Sequence, residues 1–482
     1  MYHKVIKFFR NFAPDFILIK ITMMSNLKII NKWTFALIFM ICGMMTMSLT
    51  SCSSDDDNNN NINNSVLDTG APLALDAKVS SHRDCHAMKT IANDILNLTF
   101  NQIIFEYTSV GPDMKTPVRL TGVISMNPAV YNKTEKPRGL MLYNEFTCAK
   151  RGERTSQDEI DDIGLYMNKY EDLIAVSADL YGWTLTEDKP QAYCCPEITA
   201  RETIDAWDAA MQILKKEGYA IEGLPCFNVG YSSGGFSAIA VQRYTDMHRP
   251  DIQWTITSAG GAPFNINSVY KSNVTSPTSG YACSFPLVVV AYKETYHMDF
   301  EYSEVFAKPL CDNIQKWILS KDYGTWDINK LIAGGDEVKT KDCPIELILT
   351  PEARNPQSPV GQKLSAMFIR NSLCGEGQDW QPSKKTKFYI MHSTKDKYMD
   401  WHVGEEMANY LKSHGCDVTA DFDDYGNHVT YGLFQHIGKT ILLMEEYMPD
   451  SEDLDQRVKE DVVDTAAGYI IDKIFEFAGI SL

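Results

Sequence analysis

Basic side chains are scarce in this 482-residue chain: 45 Lys and Arg stand against 63 Asp and Glu, for a net charge of −18. That deficit excludes the basic stripe a nucleic-acid surface needs, so no nucleic-acid partner is expected. Zinc-type ligand spacing is also missing. His82-Arg83-Asp84-Cys85-His86 is dense in ligand types, but no second cluster answers it, so no metal site is expected. Internal repeats are absent. Only one long apolar run occurs, at residues 33–49, which excludes a multi-span membrane protein. With 44% hydrophobic and 22% charged residues, wholesale disorder and collagen are excluded too.

What is present begins at the N-terminus. Residues 1–51 are rich in Lys and Arg, and Lys28 and Lys32 precede the apolar run. A positive segment followed by an apolar one is the pattern of a secretory signal, and translation from Met23 or Met24 would suffice for it. The run ends in Leu49-Thr50-Ser51-Cys52, which resembles a bacterial lipobox with Cys52 as the lipidated residue. An uncleaved anchor or a buried cysteine is the plainer alternative. Cys52 is followed by SSDDDNNNNINNS, a polar tract that cannot bury apolar area, and residues 52–75 are expected to be a flexible tether. Acidic residues after such a cysteine resemble the surface-export signal of Bacteroidetes lipoproteins. The expectation is a cell-envelope protein, at the outer membrane on its periplasmic or outer face. An N-terminal lipid anchor would hold it, with no spanning helix. In an oxidising compartment, several of the ten cysteines after Cys52 are expected to pair.

Beyond about residue 100, strand-like and helix-like segments alternate. Residues 102–108 and 118–125 read as a hairpin around Gly111-Pro112-Asp113. Strands are expected at 139–143, 173–178, 226–230, 252–258, 388–392 and 418–425, and helices at 198–216, 233–245, 403–414, 432–448 and 456–478. That alternation predicts an α/β fold, a mostly parallel sheet with helices on both faces. Roughly 120 residues separate the sixth strand from the seventh, too many for a plain crossover. Tyr270, Tyr281, Phe285, Tyr292, Tyr296, Phe300, Tyr302, Phe306, Trp317, Tyr323 and Trp326 crowd this interval. It reads as a mostly helical cap over 263–384, inserted between core segments 76–262 and 385–482.

Chemistry concentrates at Gly230-Tyr231-Ser232-Ser233-Gly234, a G-x-S-x-G pattern between an expected strand and an expected helix. A turn this sharp strains the serine backbone, and glycine removes the side chains that would collide there. Ser232 is the candidate nucleophile, and the backbone N–H of Ser233 a candidate oxyanion donor. A serine hydroxyl needs a base, and in this topology the order is Ser, acid, His. His428, in the turn after the last strand, is the candidate base. Asp396, in the loop after residues 388–392, is the candidate acid, with Asp400 its competitor. The second oxyanion donor is expected from the loop after 139–143, near the backbone N–H of Phe146.

From about residue 100 onward the chain resembles the α/β-hydrolases of the secretory-lipase and prolyl-oligopeptidase-like group. Asp179-Leu180-Tyr181-Gly182, Asp205 in the 200–210 segment and Gly260-Gly261-Ala262-Pro263 carry the likeness. So do Asn371-Ser372-Leu373, Trp380-Gln381-Pro382 and the His392 to Asp396 strand end. The family often has His-Gly where this chain has Glu145-Phe146, and Tyr-x-Gly where it has Leu180-Tyr181-Gly182. The resemblance implies a triad of Ser232, Asp396 and His428, a helical segment at 285–292, and no cofactor. The expected function is a serine hydrolase of small-molecule carboxylic esters, with an apolar acyl or aryl group beneath the cap. A prolyl-oligopeptidase-type peptidase and a non-catalytic surface binder on the same fold are the alternatives.

Overall fold

The computed structural model describes residues 76–91, 94–157 and 172–449. Cys52, the tether and the helix expected at 456–478 lie outside these residues. Nine strands form one sheet: β1 (Lys78–Ile91), β2 (Asp94–Val110), β3 (Pro117–Met126), β4 (Gly139–Asn144), β5 (Leu173–Ala178), β6 (Cys226–Tyr231), β7 (Ile256–Gly260), β8 (Lys387–Ser393) and β9 (Asp417–Asp423). Their order is β1-β2-β3-β5-β4-β6-β7-β8-β9. The pairings β1–β2, β2–β3 and β3–β5 are antiparallel, and every pairing from β5 to β9 is parallel. The central strands read as a parallel sheet should. All six residues of β4 (GLMLYN) and of β5 (LIAVSA) are buried, with no polar face.

Strand β1 is absent from the sequence-based expectation. Its polar run, read as a cluster of ligand types, is an edge strand. Arg83 bonds Gln102 Oε1 on β2 and the carbonyls of Thr155 and Ser156. With β1 counted, the cap enters after the seventh strand of the sheet. The expected strand at 252–258 begins only at Ile256, because Trp254 is sunk in the core. Its indole donates to Thr245 Oγ1 (3.1 Å) and meets the Trp207 ring edge-on at 5.0 Å.

Helices flank both faces. Helix α1 (Pro196–Lys216) and α2 (Ser233–His248) pack on each other, and α2 packs on β6 and β7. Side chains alternate across a strand. Asn228 of β6 reaches the Ala238 carbonyl of α2. Tyr231, three residues on, faces the other way and packs on His436 of a C-terminal helix, Leu433–Glu445.

Between β7 and β8 the chain is mostly helical: Ile266–Thr275, Ser284–Tyr296, Thr325–Ile332 and Pro359–Asn371 are its longer helices. The expected 285–292 helix is among them. Pro286 falls in its first turn, where the missing N–H costs nothing. A two-residue strand pair, Thr278–Ser279 with Cys343–Pro344, ties this region together.

Candidate active site

The nucleophile candidate sits where β6 stops and α2 starts. Ser232 has φ 56° and ψ −125°, a backbone state costly for a residue with a Cβ. The surroundings hold it there. Its N–H donates to the Gly260 carbonyl of β7 at 2.8 Å, and its own carbonyl accepts from Phe236 N at 3.1 Å. The flanking glycines are a steric requirement. A Cβ at Gly230 would lie 2.1 Å from the Gly234 carbonyl oxygen, and one at Gly234 would lie 2.1 Å from that of Asn144. The turn therefore closes only with glycine at both positions, and it lifts Oγ above the end of the sheet.

Two loops from later strands converge on that oxygen. His428 Nε2 lies 2.9 Å from Ser232 Oγ, and His428 Nδ1 lies 2.5 Å from Asp396 Oδ2. Asp396 is fully buried and held from every side. Its Oδ1 accepts from the backbone N–H groups of Tyr398 (2.8 Å) and Met399 (3.1 Å), and His392 Nε2 reaches Oδ2 at 3.0 Å. Burial alone would raise its pKa. The His428 charge and hydrogen bonds from both histidines outweigh that and hold it well below the usual carboxylate range. The histidine loop is tethered too. Tyr231 OH donates to the His428 carbonyl (2.6 Å), and Ser393 Oγ donates to the Gly426 carbonyl (2.6 Å). Asp400 is elsewhere: it bonds His402 and Ser272, not His428.

The opposite wall is the 144–156 segment. Its approach to Gly234 carries the chain across the elbow immediately before Phe146. Glu145, which departs from the family pattern, turns away from Ser232. Its Oε2 pairs with Arg154 (2.9 Å), and its Oε1 accepts from Thr155 N (3.2 Å), Ser177 Oγ (3.0 Å) and the Thr155 hydroxyl. Deeper in this network is Asp179. Burial first and the Glu145 charge second push it up to about 6, against the Ser156 and Thr184 hydroxyls and the Arg154 charge. The Ser233 hydroxyl accepts from Thr147 Oγ1 (3.2 Å), which also meets Tyr193 OH at 2.7 Å. A small cavity opens here, lined by Phe146, Trp183, Tyr193, Cys194, Ser233 and Ser237 among others.

The cap reaches the site through Tyr281. Its ring stacks on Tyr398 of the acid loop (4.7 Å, 7°), and the Tyr398 ring lies 5.2 Å from that of His428. The backbones touch as well. A Cβ at Gly280 would fall 2.3 Å from the Lys397 carbonyl oxygen. Other cap aromatics pack on one another. Tyr270, Phe285, Tyr292 and Phe368 are buried against one another with centroids 5.0–6.0 Å apart, forming the cap's own core.

The cysteine expectation is corrected. Cys194, Cys195, Cys226, Cys283, Cys311, Cys343, Cys374 and Cys416 form no disulfide among the described residues. Most are buried and behave as small apolar side chains, Cys194 and Cys195 side by side ahead of α1. Burial pushes the thiols of Cys195 and Cys226 up to about 12 and about 11. Sequence reasoning also missed the contact of His392 with Asp396. The one signal available was the four-residue interval between them.

Comparison with known proteins returns neither a matching family model nor a matching curated protein. Solved structures do match. A hydrolase candidate from Legionella pneumophila aligns with a TM-score of 0.64 at 16% identity, over 78% of this chain and 99% of its own. The rice cell wall degrading esterase LipA from Xanthomonas oryzae gives 0.60 at 17%, over 78% and 97%. Candida antarctica lipase A in its closed state gives 0.57 at 10%, over 83% and 91%. At these identities the likeness is one of fold, and the fold is that of the α/β-hydrolases.

Proposed function

We propose that the protein is a serine hydrolase that cleaves carboxylic esters through an acyl-enzyme on Ser232. One observation carries this reading: an unbroken hydrogen-bonded line from Ser232 Oγ through His428 to Asp396, at 2.9 and 2.5 Å, starting from a strained elbow. His428 Nε2 takes the serine proton as Oγ bonds to the ester carbonyl carbon. The carbonyl oxygen becomes an oxyanion, received by the backbone N–H groups of Ser233, at the start of α2, and of Phe146, in the loop after β4. Asp396 fixes the His428 tautomer and balances the imidazolium. The intermediate collapses by breaking the C–O bond to the alcohol, which leaves with the His428 proton. A water activated by the same imidazole then releases the acid.

The neighbours named as an esterase and a lipase favour an ester over a peptide as substrate. We further propose anchoring to the cell envelope by lipidation at Cys52, on the strength of the 33–52 segment. The test is turnover of an activated short-chain ester together with labelling by a fluorophosphonate. Ser232→Ala abolishes labelling and lowers kcat/KM by about a thousandfold or more. Unchanged turnover in that variant overturns the assignment. For the anchor, Cys52→Ser shifts the protein from the membrane fraction to the soluble one.

A further inference from the structure

The acid of the proposed triad is shared by two imidazoles. His392, the penultimate residue of β8 before the acid loop, has no solvent exposure and places Nε2 3.0 Å from Asp396 Oδ2, the same oxygen that meets His428 Nδ1. Its other nitrogen, Nδ1, is buried and has no hydrogen-bond partner among the described residues. The wall on that side explains why. A Cβ at Gly404, in the helix His402–Ser413, would sit 3.3 Å from Nδ1 and 3.1 Å from the Phe422 ring, so glycine backbone and an aromatic ring pack there.

This geometry fixes the tautomer. A carboxylate only accepts, so Nε2 must carry the hydrogen to bond it. A second proton on Nδ1 would bury a cation with an unmet donor, whereas an unmet acceptor on a neutral ring costs far less.

We propose that His392 is a positioning residue: a neutral imidazole that donates from Nε2 to Asp396 and locks the carboxylate plane that aims His428 at Ser232. The inference rests on the triad reading. Tyr231 holds the His428 backbone carbonyl, so the aim of the ring depends on its bond to the Asp396 carboxylate. Without His392, Oδ2 keeps one donor instead of two and the carboxylate can pivot about its Oδ1 bonds. His428 then loses time in line with the serine. Substrate never touches His392, so binding is untouched.

The test has a variant arm and an arm that needs none. His392→Leu lowers kcat about tenfold with KM within twofold. It also broadens the low-field proton resonance of the His428–Asp396 bond. His392→Gln, whose amide can reach Oδ2 as Nε2 does, restores kcat to within about threefold and restores the resonance. Equal losses in the two variants, or a kcat within twofold of wild type in His392→Leu, overturn the proposal. Should the leucine variant fail to fold, nitrogen NMR of the histidine-labelled wild type decides. Protonation at Nε2 with a bare Nδ1 supports the proposal, and any other state of His392 overturns it. A wild type that no fluorophosphonate labels, yet shows that tautomer, sinks the hydrolase reading and leaves the His392–Asp396 bond standing.

Discussion

The catalytic end of the sheet and the cap are both densely buried, yet they spend burial differently. Around Ser232 the buried groups are polar and paired: Asp396 takes four donors, and Glu145 takes four more. In the cap, buried rings meet rings. Hydrogen bonds have direction and stacking rings much less, so the first region fixes atoms while the second mainly fills volume. Cap groups also reach across to the core, Tyr292 to the Cys194 carbonyl and Ser268 to Glu406 among them. Tyr281 meets the acid loop, and Lys321 sends its ammonium to the carbonyls of Gly182 (2.6 Å), Glu187 (2.8 Å) and Lys189 (2.5 Å) in the core. The cap thus has a ring cluster of its own, and Tyr281 links it to the acid loop beside the triad.

That contrast can be broken most severely at Asp396. Asp396→Asn lowers kcat by on the order of 10³–10⁴ while a calorimetric scan stays close to wild type. Phe368→Ala inverts the result. It empties the centre of the ring cluster, so chemical denaturation shows a loss of about 4 kcal/mol, while folded protein keeps its kcat.

A third experiment uses pH. Burial pushes His436 down to about 3 from 6.5, so the native state refuses a proton that the unfolded chain accepts. Stability from this group is complete above pH 6.5 and drains away as pH falls toward 3. Between pH 6.5 and 4 the drop is about 3 kcal/mol in urea titrations. His436→Gln, which keeps a bond to Ser258, flattens that slope. The smallest effect belongs to the junction. Tyr281→Ala changes KM for bulky esters a few-fold and leaves kcat for an acetyl ester unchanged. An equal change in both would mean that the cap steers the imidazole itself.

Much of this was legible in the sequence. The elbow announced itself because its two glycines are sterically compulsory, and such a requirement leaves a fixed spacing in the chain. The parallel strands were legible because burial on both faces makes them continuously apolar. Ser232 followed from the G-x-S-x-G pattern, Asp396 and His428 from chain order and their loops after expected strands, and the structure brings the three within hydrogen-bonding distance. Strand β1 was not legible, since an edge strand tolerates polar side chains and its pairing depends on a distant partner. His392 was visible as a residue but not as a contact, because a one-dimensional interval does not say where a ring points. The ring cluster of Tyr270, Phe285, Tyr292 and Phe368 was not legible either, because composition cannot separate rings that line a cavity from rings that fill a core.

The crowding around Asp396 has a consequence for proton traffic. With each carboxylate oxygen already receiving two hydrogens, the acid has no vacant direction in which to take up another from bulk water. On the proposed mechanism, the hydrogen leaving Ser232 can rest only on the outer nitrogen of one ring, and its sole exit is the departing alcohol.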